Sequence, residues 1–93
     1  MNEKNPQEIE IAVQRGYHAN RASLTVGTPA RITFVRQEAG GCSREVVFPA
    51  LGVRRELPQG VPVTIELPAL AAGTLAWTCG MNMMRGSLAV EPA

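Results

Sequence analysis

The sequence predicts an all-β fold, a Greek-key β-sandwich or barrel of about seven short strands. Short runs alternate apolar and polar residues with a period of two, which is the pattern of strands with one buried face. Gly, Pro and Asn separate these runs at turn-like intervals, and helical periodicity is nowhere sustained. A chain of 93 residues is expected to form one domain around one core.

The first half of the chain contains four predicted strands. They are residues 8–13, the segment around Leu24 and Val26, residues 31–36 and residues 45–48. In the first strand Ile9, Ile11 and Val13 fall on one face, and in the third Ile32 and Phe34 do so. The fourth strand is rich in the β-branched and aromatic residues that suit a pleated surface.

The second half contains three more predicted strands, at residues 61–67, 74–79 and 87–91. Pro62 is compatible with the first of them only at an edge or at the strand start. Leu75, Trp77 and Cys79 share one face of the next. The segment at residues 54–56, which is Arg-Arg-Glu, is interpreted as an exposed turn.

The predicted domain spans residues 8–91 and follows a flexible N-terminus at residues 1–7. A hydrophobic content of 45% supports a folded core. The formal net charge of +1 excludes the strongly basic footprint of a nucleic-acid binder. The chain has neither an uncharged run of membrane-spanning length nor an apolar signal segment, so we expect a cytoplasmic location. A membrane tether, or fusion to a transporter in a longer parent, remains compatible with the sequence.

Sulfur is concentrated after the sixth predicted strand. Three of the four methionines, Met81, Met83 and Met84, follow Cys79 within a loop bounded by glycines. A spacing of two would present Cys79, Met81 and Met83 to the same side of an extended backbone. Thiolate and thioether ligands favour Cu(I), whereas Zn²⁺ sites use Cys, His and carboxylates and hard cations prefer oxygen. This segment therefore predicts a Cu(I) site.

A second candidate segment surrounds Cys42, just before the fourth predicted strand. If it lies beside the Cys79 loop, the two thiols could share a metal. Glu45, three residues later, could then bind the metal through its carboxylate, or could contact the metal ligands and fix their orientation. By number alone, two cysteines allow one disulfide, one shared metal site or two unrelated thiols, and only the residues around them favour a metal site.

The order of these motifs resembles the cupredoxin family, over residues 8–91. The resemblance rests on Gly16-Tyr17, a Gly27-Thr28-Pro29-Ala30 turn before Ile32-Thr33-Phe34, Gly41-Cys42, Glu45 to Pro49, Leu57-Pro58, Cys79 to Met83 and Arg85-Gly86. Within the family the sequence is most similar to CupA-type Cu(I) chaperone domains and to the related domains of copper-exporting P-type ATPases.

The resemblance implies a site that holds one or two Cu(I) ions. Cys42 and Cys79 would be bridging thiolates, Glu45 and Met81 would complete the tighter copper position, and Met81 or Met83 would serve a second, weaker one. Met84 adds a sulfur beside Met83, and either could face the metal. The implied function is to sequester copper and pass it to a copper-exporting P-type ATPase or another acceptor, without enzymatic activity.

Two other functions remain open at this stage. An electron-transfer protein with an atypical ligand set would have to use His18, although a trigonal blue-copper site needs two His and the chain has one. A metal-free binding module with a Cys42–Cys79 disulfide is the other possibility. The sequence does not indicate an oligomeric state.

Overall fold

The computed structural model describes residues 6–21, 23–39, 44–80 and 84–92. These residues form nine strands and one 3₁₀ turn, Pro49–Leu51, and the predicted all-β class is confirmed. The strands are β1 (Gln7–Val13), β2 (Tyr17–Ala19), β3 (Ser23–Thr25), β4 (Ala30–Arg36), β5 (Glu45–Phe48), β6 (Val53–Glu56), β7 (Val63–Leu67), β8 (Gly73–Cys79) and β9 (Arg85–Glu91).

The strands form two sheets that pack as a sandwich. One sheet has four strands in the order β2-β1-β4-β7, and the other has five in the order β3-β9-β8-β5-β6. The pairs β1–β4 and β3–β9 are parallel, whereas the remaining neighbours are antiparallel. Strands β5, β8 and β9, which border the two sulfur-bearing segments, are therefore neighbours in one sheet.

The core lies between the sheets and is built from alternating residues of each strand. Each large apolar side chain buried there contributes about 1.5–3 kcal/mol relative to exposure. All four aromatic residues of the chain meet in the core: Tyr17, Phe34, Phe48 and Trp77. Trp77 is 1% exposed, and its ring centroid lies 5.7 Å from that of Tyr17 and 5.9 Å from that of Phe34. The alternating burial of β8 residues thus places Trp77, two positions before Cys79, at the centre of the core.

Two strands were not predicted from the sequence. β2 has only three residues, which is too short for periodicity to reveal. The interpretation of residues 54–56 as a turn is wrong, because they belong to β6, the edge strand of the five-stranded sheet. An edge strand pairs on one side only, so it accommodates charged side chains that would not be expected in a central strand.

Several strand ends also differ from the prediction. β7 begins at Val63, while Val61 before it is 50% exposed. β1 begins at Gln7, within the predicted flexible terminus. The Gln7 side-chain amide donates to the carbonyl oxygens of Thr25 and Thr28 at 2.9 and 3.0 Å, which ties this end of the strand to a neighbouring turn. The rest of that predicted terminus, apart from Pro6, lies outside the described residues.

No helix in the described part of the chain has the length and apolar character needed to cross a membrane.

Candidate metal centre

Cys79 is the last residue of β8, and its side chain points into the sandwich with 1% of the residue exposed. The backbone N–H of Met84 donates to the Cys79 Sγ at 3.3 Å. In return, the Cys79 N–H donates to the Met84 carbonyl oxygen at 2.9 Å. These two bonds close the connection between β8 and β9 at its base. A backbone N–H directed at the sulfur also stabilises negative charge there, as a metal-binding thiolate requires.

The structure describes only part of the predicted sulfur set. Met84 is partly buried and packs against the hydrophobic core, so its side chain fills space beneath the connection. Its role as a ligand remains a prediction. Cys42, Met81 and Met83 lie outside the described residues.

Glu45 begins β5, the strand that pairs with β8. The register pairs Val46 with Cys79, which puts Glu45 beside Gly80. The Nη1 of Arg54 donates to the Glu45 Oε1 at 2.6 Å, and 30% of the Glu45 side chain is exposed. A Cβ atom on Gly80 would overlap the same oxygen. The Glu45 carboxylate is therefore held between the Arg54 guanidinium and the backbone of Gly80.

Glu45 and Cys79 project from opposite faces of the sheet. Val46 and Cys79 form a paired position that points into the core, so the preceding residue, Glu45, points outward. The structure thus brings Glu45 close to Cys79 along the backbone but separates the carboxylate from the thiol. For both groups to bind one ion, the Glu45 side chain must turn around the end of the strand. The predicted ligand role of Glu45 stays a prediction.

His18 lies apart from the thiol. It is exposed on β2, an edge strand of the other sheet, while its neighbour Tyr17 points inward to the ring of Trp77. The His18 Nε2 lies 3.0 Å from the Gln14 carbonyl oxygen. The structure therefore does not place His18 beside Cys79 as a blue-copper site would require.

Two glycines shape this end of the sheet in a way that sequence reasoning missed. A Cβ on Gly86 would lie 2.5 Å from the Trp77 Cε2, so the indole ring packs directly on the Gly86 backbone. Gly80 provides the corresponding space beneath the Glu45 carboxylate. An isolated Gly at a strand position commonly marks a close approach, and that signal was available for Gly86.

The sulfur donors of Cys79 and of the β8–β9 connection suit a soft metal ion better than a hard one. In residues 6–21, 23–39, 44–80 and 84–92, no group of three His, Cys, Asp or Glu side chains is placed to hold a metal. Cys79 is buried, receives an N–H bond and lies at the base of a connection that bears two further methionines. Thiolate with thioether is the ligand combination that suits Cu(I).

Comparisons with known proteins agree with this fold. The family model for the cupredoxin-like domain matches residues 1–90, so the chain belongs to the cupredoxin family. No curated protein matches the sequence. The NMR structure of a copper-binding protein in its apo form is 38% identical, with a TM-score of 0.83, over 97% of this chain and 93% of that one.

A second similar structure contains the metal. It is the metal-binding domain of the Streptococcus pneumoniae D39 Cu(I)-exporting P-type ATPase CopA with Cu(I). It is 32% identical, with a TM-score of 0.84, over 97% of this chain and 90% of that one. Auracyanin B, at 19% identity and a TM-score of 0.63 over 99% of this chain and 94% of its own, shares the fold alone.

Proposed function

We propose that this domain binds Cu(I) through Cys79, Cys42 and the thioethers of the β8–β9 connection, and passes the ion to an acceptor. The observation that carries the proposal is the Cys79 thiol, buried at the strand end and hydrogen-bonded by the Met84 N–H. The two similar copper-related structures support the same metal.

The protein surroundings of Cys79 favour Cu(I) over Cu(II). The thiol is shielded by the sandwich on its inner side, and the available partners along the connection are neutral thioethers. Such a site supplies soft sulfur donors, which suit a soft monovalent ion. The single His of the chain is exposed on the other sheet, so the imidazole pair that stabilises Cu(II) is absent from the sequence.

Transfer follows from the unequal strength of the ligands. Thioethers are neutral and exchange readily, so an incoming thiolate can displace a methionine before it takes the ion from the cysteines. We propose a copper-exporting P-type ATPase, or another thiol-bearing copper carrier, as the acceptor. The domain then acts as a binding protein without catalytic activity. A thiolate site needs reducing conditions, which supports action in the cytoplasm.

The test is an anaerobic Cu(I) titration of the reduced protein against a chromogenic chelator, which reports both affinity and stoichiometry. We expect wild-type protein to compete for copper, Cys42→Ser and Cys79→Ser to lose competition, and the loaded protein to be colourless. Thr78→Ser is the matched control, since it alters the neighbouring outward residue of β8. Failure of the wild type to compete would contradict the proposal, and a large stability loss on reduction would then favour the disulfide-containing module.

A further inference from the structure

Four arginines are concentrated around the sulfur-bearing end of the five-stranded sheet. This arginine patch consists of Arg44, Arg54, Arg55 and Arg85, and all four are exposed. Arg55 pairs with the inward-pointing Val46, so it projects from the opposite face of β6 to Arg54. It contains four of the nine basic residues of the chain, while the strands that carry it contribute the acidic residues Glu45, Glu56 and Glu91. Glu91 is at the far end of β9. The near-neutral net charge of the chain thus conceals a locally basic surface.

The strand register aligns two of these arginines across the sheet. Arg54 pairs with Val47, Val47 with Thr78, and Thr78 with Arg85, so the four residues form one row on the outer face. With neighbouring strands about 4.8 Å apart, the two arginine Cα positions are separated by roughly 14 Å. The strip between them, formed by Val47 and Thr78, is uncharged and half-buried. Such a strip, bracketed by guanidinium groups, has the composition of a small protein-binding face.

The patch already holds one carboxylate. Glu45 accepts from Arg54 at 2.6 Å, and the Arg54 side chain remains 59% exposed. Neither Arg44 nor Arg85 forms an ion pair with another described residue. At one end of the row, Arg54 already binds the Glu45 carboxylate. At the other end, the Arg85 guanidinium is available to a partner.

We propose that this face docks an acidic protein surface, whose carboxylates pair with Arg85 and compete with Glu45 for Arg54. Guanidinium groups match carboxylates in geometry, and arginine is enriched at protein interfaces. The low overall charge favours a protein over a polyphosphate such as nucleic acid. Docking at this face would deepen the proposed function and rests on it: the row is one residue from the Val46–Cys79 pair, so a partner bound there would lie beside the end of β8 that carries the thiol.

The experiment measures docking without metal. Reduced, ¹⁵N-labelled protein is titrated with a Glu-rich octapeptide, and amide shifts are followed by NMR. We expect saturable shifts at the ends of β5, β6, β8 and β9. The double variant Arg54→Glu/Arg85→Glu should weaken peptide binding by about tenfold or more. The control Arg21→Glu/Arg31→Glu makes the same change in net charge, with Arg31 on β4 of the other sheet and Arg21 just before β3, and should weaken binding by less than about threefold.

A second pair of variants tests the carboxylate position itself. Glu45→Gln removes the internal competitor of Arg54, and Glu56→Gln removes an equal charge from the residue paired with Glu45. We expect Glu45→Gln to tighten peptide binding more than Glu56→Gln does. Equal weakening by both double variants, or tighter binding of an eight-nucleotide oligo(dT) than of the peptide, would overturn the proposal. Cu(I) titration of the same proteins distinguishes this failure from failure of the proposed copper site.

Discussion

At the scale of single residues, the contact between Trp77 and Gly86 is the least tolerant point of the site-bearing sheet. A Cβ on Gly86 would meet the Trp77 Cε2 at 2.5 Å and its Nε1 at 2.6 Å. Trp77 cannot move away without disturbing the rings of Phe34 and Phe48. We therefore expect Gly86→Ala to lower the free energy of unfolding by about 1–3 kcal/mol, as measured by urea denaturation.

The control for this prediction is Ser87→Ala, at the exposed neighbouring position, which should change stability by less than about 0.5 kcal/mol. A double variant makes the test specific. Leucine lacks all three indole atoms that Gly86→Ala would strike, so the substitution should cost less in a Trp77→Leu background. Equal costs in both backgrounds would show that the contact with the indole is not the cause.

Glu45 provides a second test at the residue scale. Because its carboxylate is paired with Arg54 on the outer face, the Glu45 side chain would have to turn around the end of the strand to reach copper bound at Cys79. We expect Glu45→Gln to weaken Cu(I) binding at least tenfold less than Cys79→Ser does. Chelator competition measures both values. A loss as large as that of Cys79→Ser would instead establish Glu45 as an essential ligand, in which case Arg54→Ala should tighten binding by freeing the carboxylate.

At the scale of secondary-structure elements, the strands in which buried and exposed residues alternate were predicted from the sequence. Strands without that alternation were missed. β1, β4 and β8 each bury every second residue against the other sheet, and their patterns were visible in the sequence. β6 was missed because three of its four residues are charged, and its place at the sheet edge is decided by pairing with β5. Edge position is a tertiary property that a local pattern does not contain.

The connection between β8 and β9 allows the methionines to be distinguished. Met84 packs against the core, and its bond to Cys79 Sγ comes from its backbone N–H, which any residue except Pro retains. We therefore expect Met84→Leu to leave Cu(I) affinity within about threefold of wild type and stability within about 1.5 kcal/mol. Met81→Leu and Met83→Leu should each weaken copper binding by about tenfold, because each removes a soft thioether donor while the volume of the side chain stays similar.

Chelator competition on the three variants checks this prediction, with urea denaturation run alongside. Met84→Leu is the matched control for the other two, since it makes the same chemical change in the same connection. A loss of affinity confined to Met84→Leu would show that its thioether leaves the core to bind the metal.

At the scale of the whole molecule, the sequence predicts a ligand type for the site but not its geometry. Cys79 and the following methionines predict soft sulfur ligands, because residue identity is sufficient for that inference. The face of the sheet from which the Glu45 side chain projects could not be predicted, since it depends on the register of β5 against β8. The arginine row was equally hidden, because it depends on the pairing of β5 with β8, which joins two hairpins that are distant in sequence.

Copper binding should also stabilise the entire fold. Cys79 lies at the end of a central strand of the five-stranded sheet, and its thiol is buried, so unfolding must separate it from any shared ligand segment. A ligand that binds only the folded state at 1,000 times its dissociation constant stabilises that state by about 4 kcal/mol. For a domain of this size, that corresponds to a rise in Tm of roughly 15–30 °C.

Differential scanning calorimetry of anaerobic protein, with and without one equivalent of Cu(I), measures this shift. Addition of excess chelator should return the Tm to the apo value, because the effect is an equilibrium one. Cys79→Ser should show little copper-dependent change, whereas Arg54→Glu/Arg85→Glu should retain the full shift, since its substitutions lie on the outer face. An unchanged Tm in the copper-loaded wild type would mean that the bound ion is held equally well by the unfolded chain, which a site assembled by this fold does not allow.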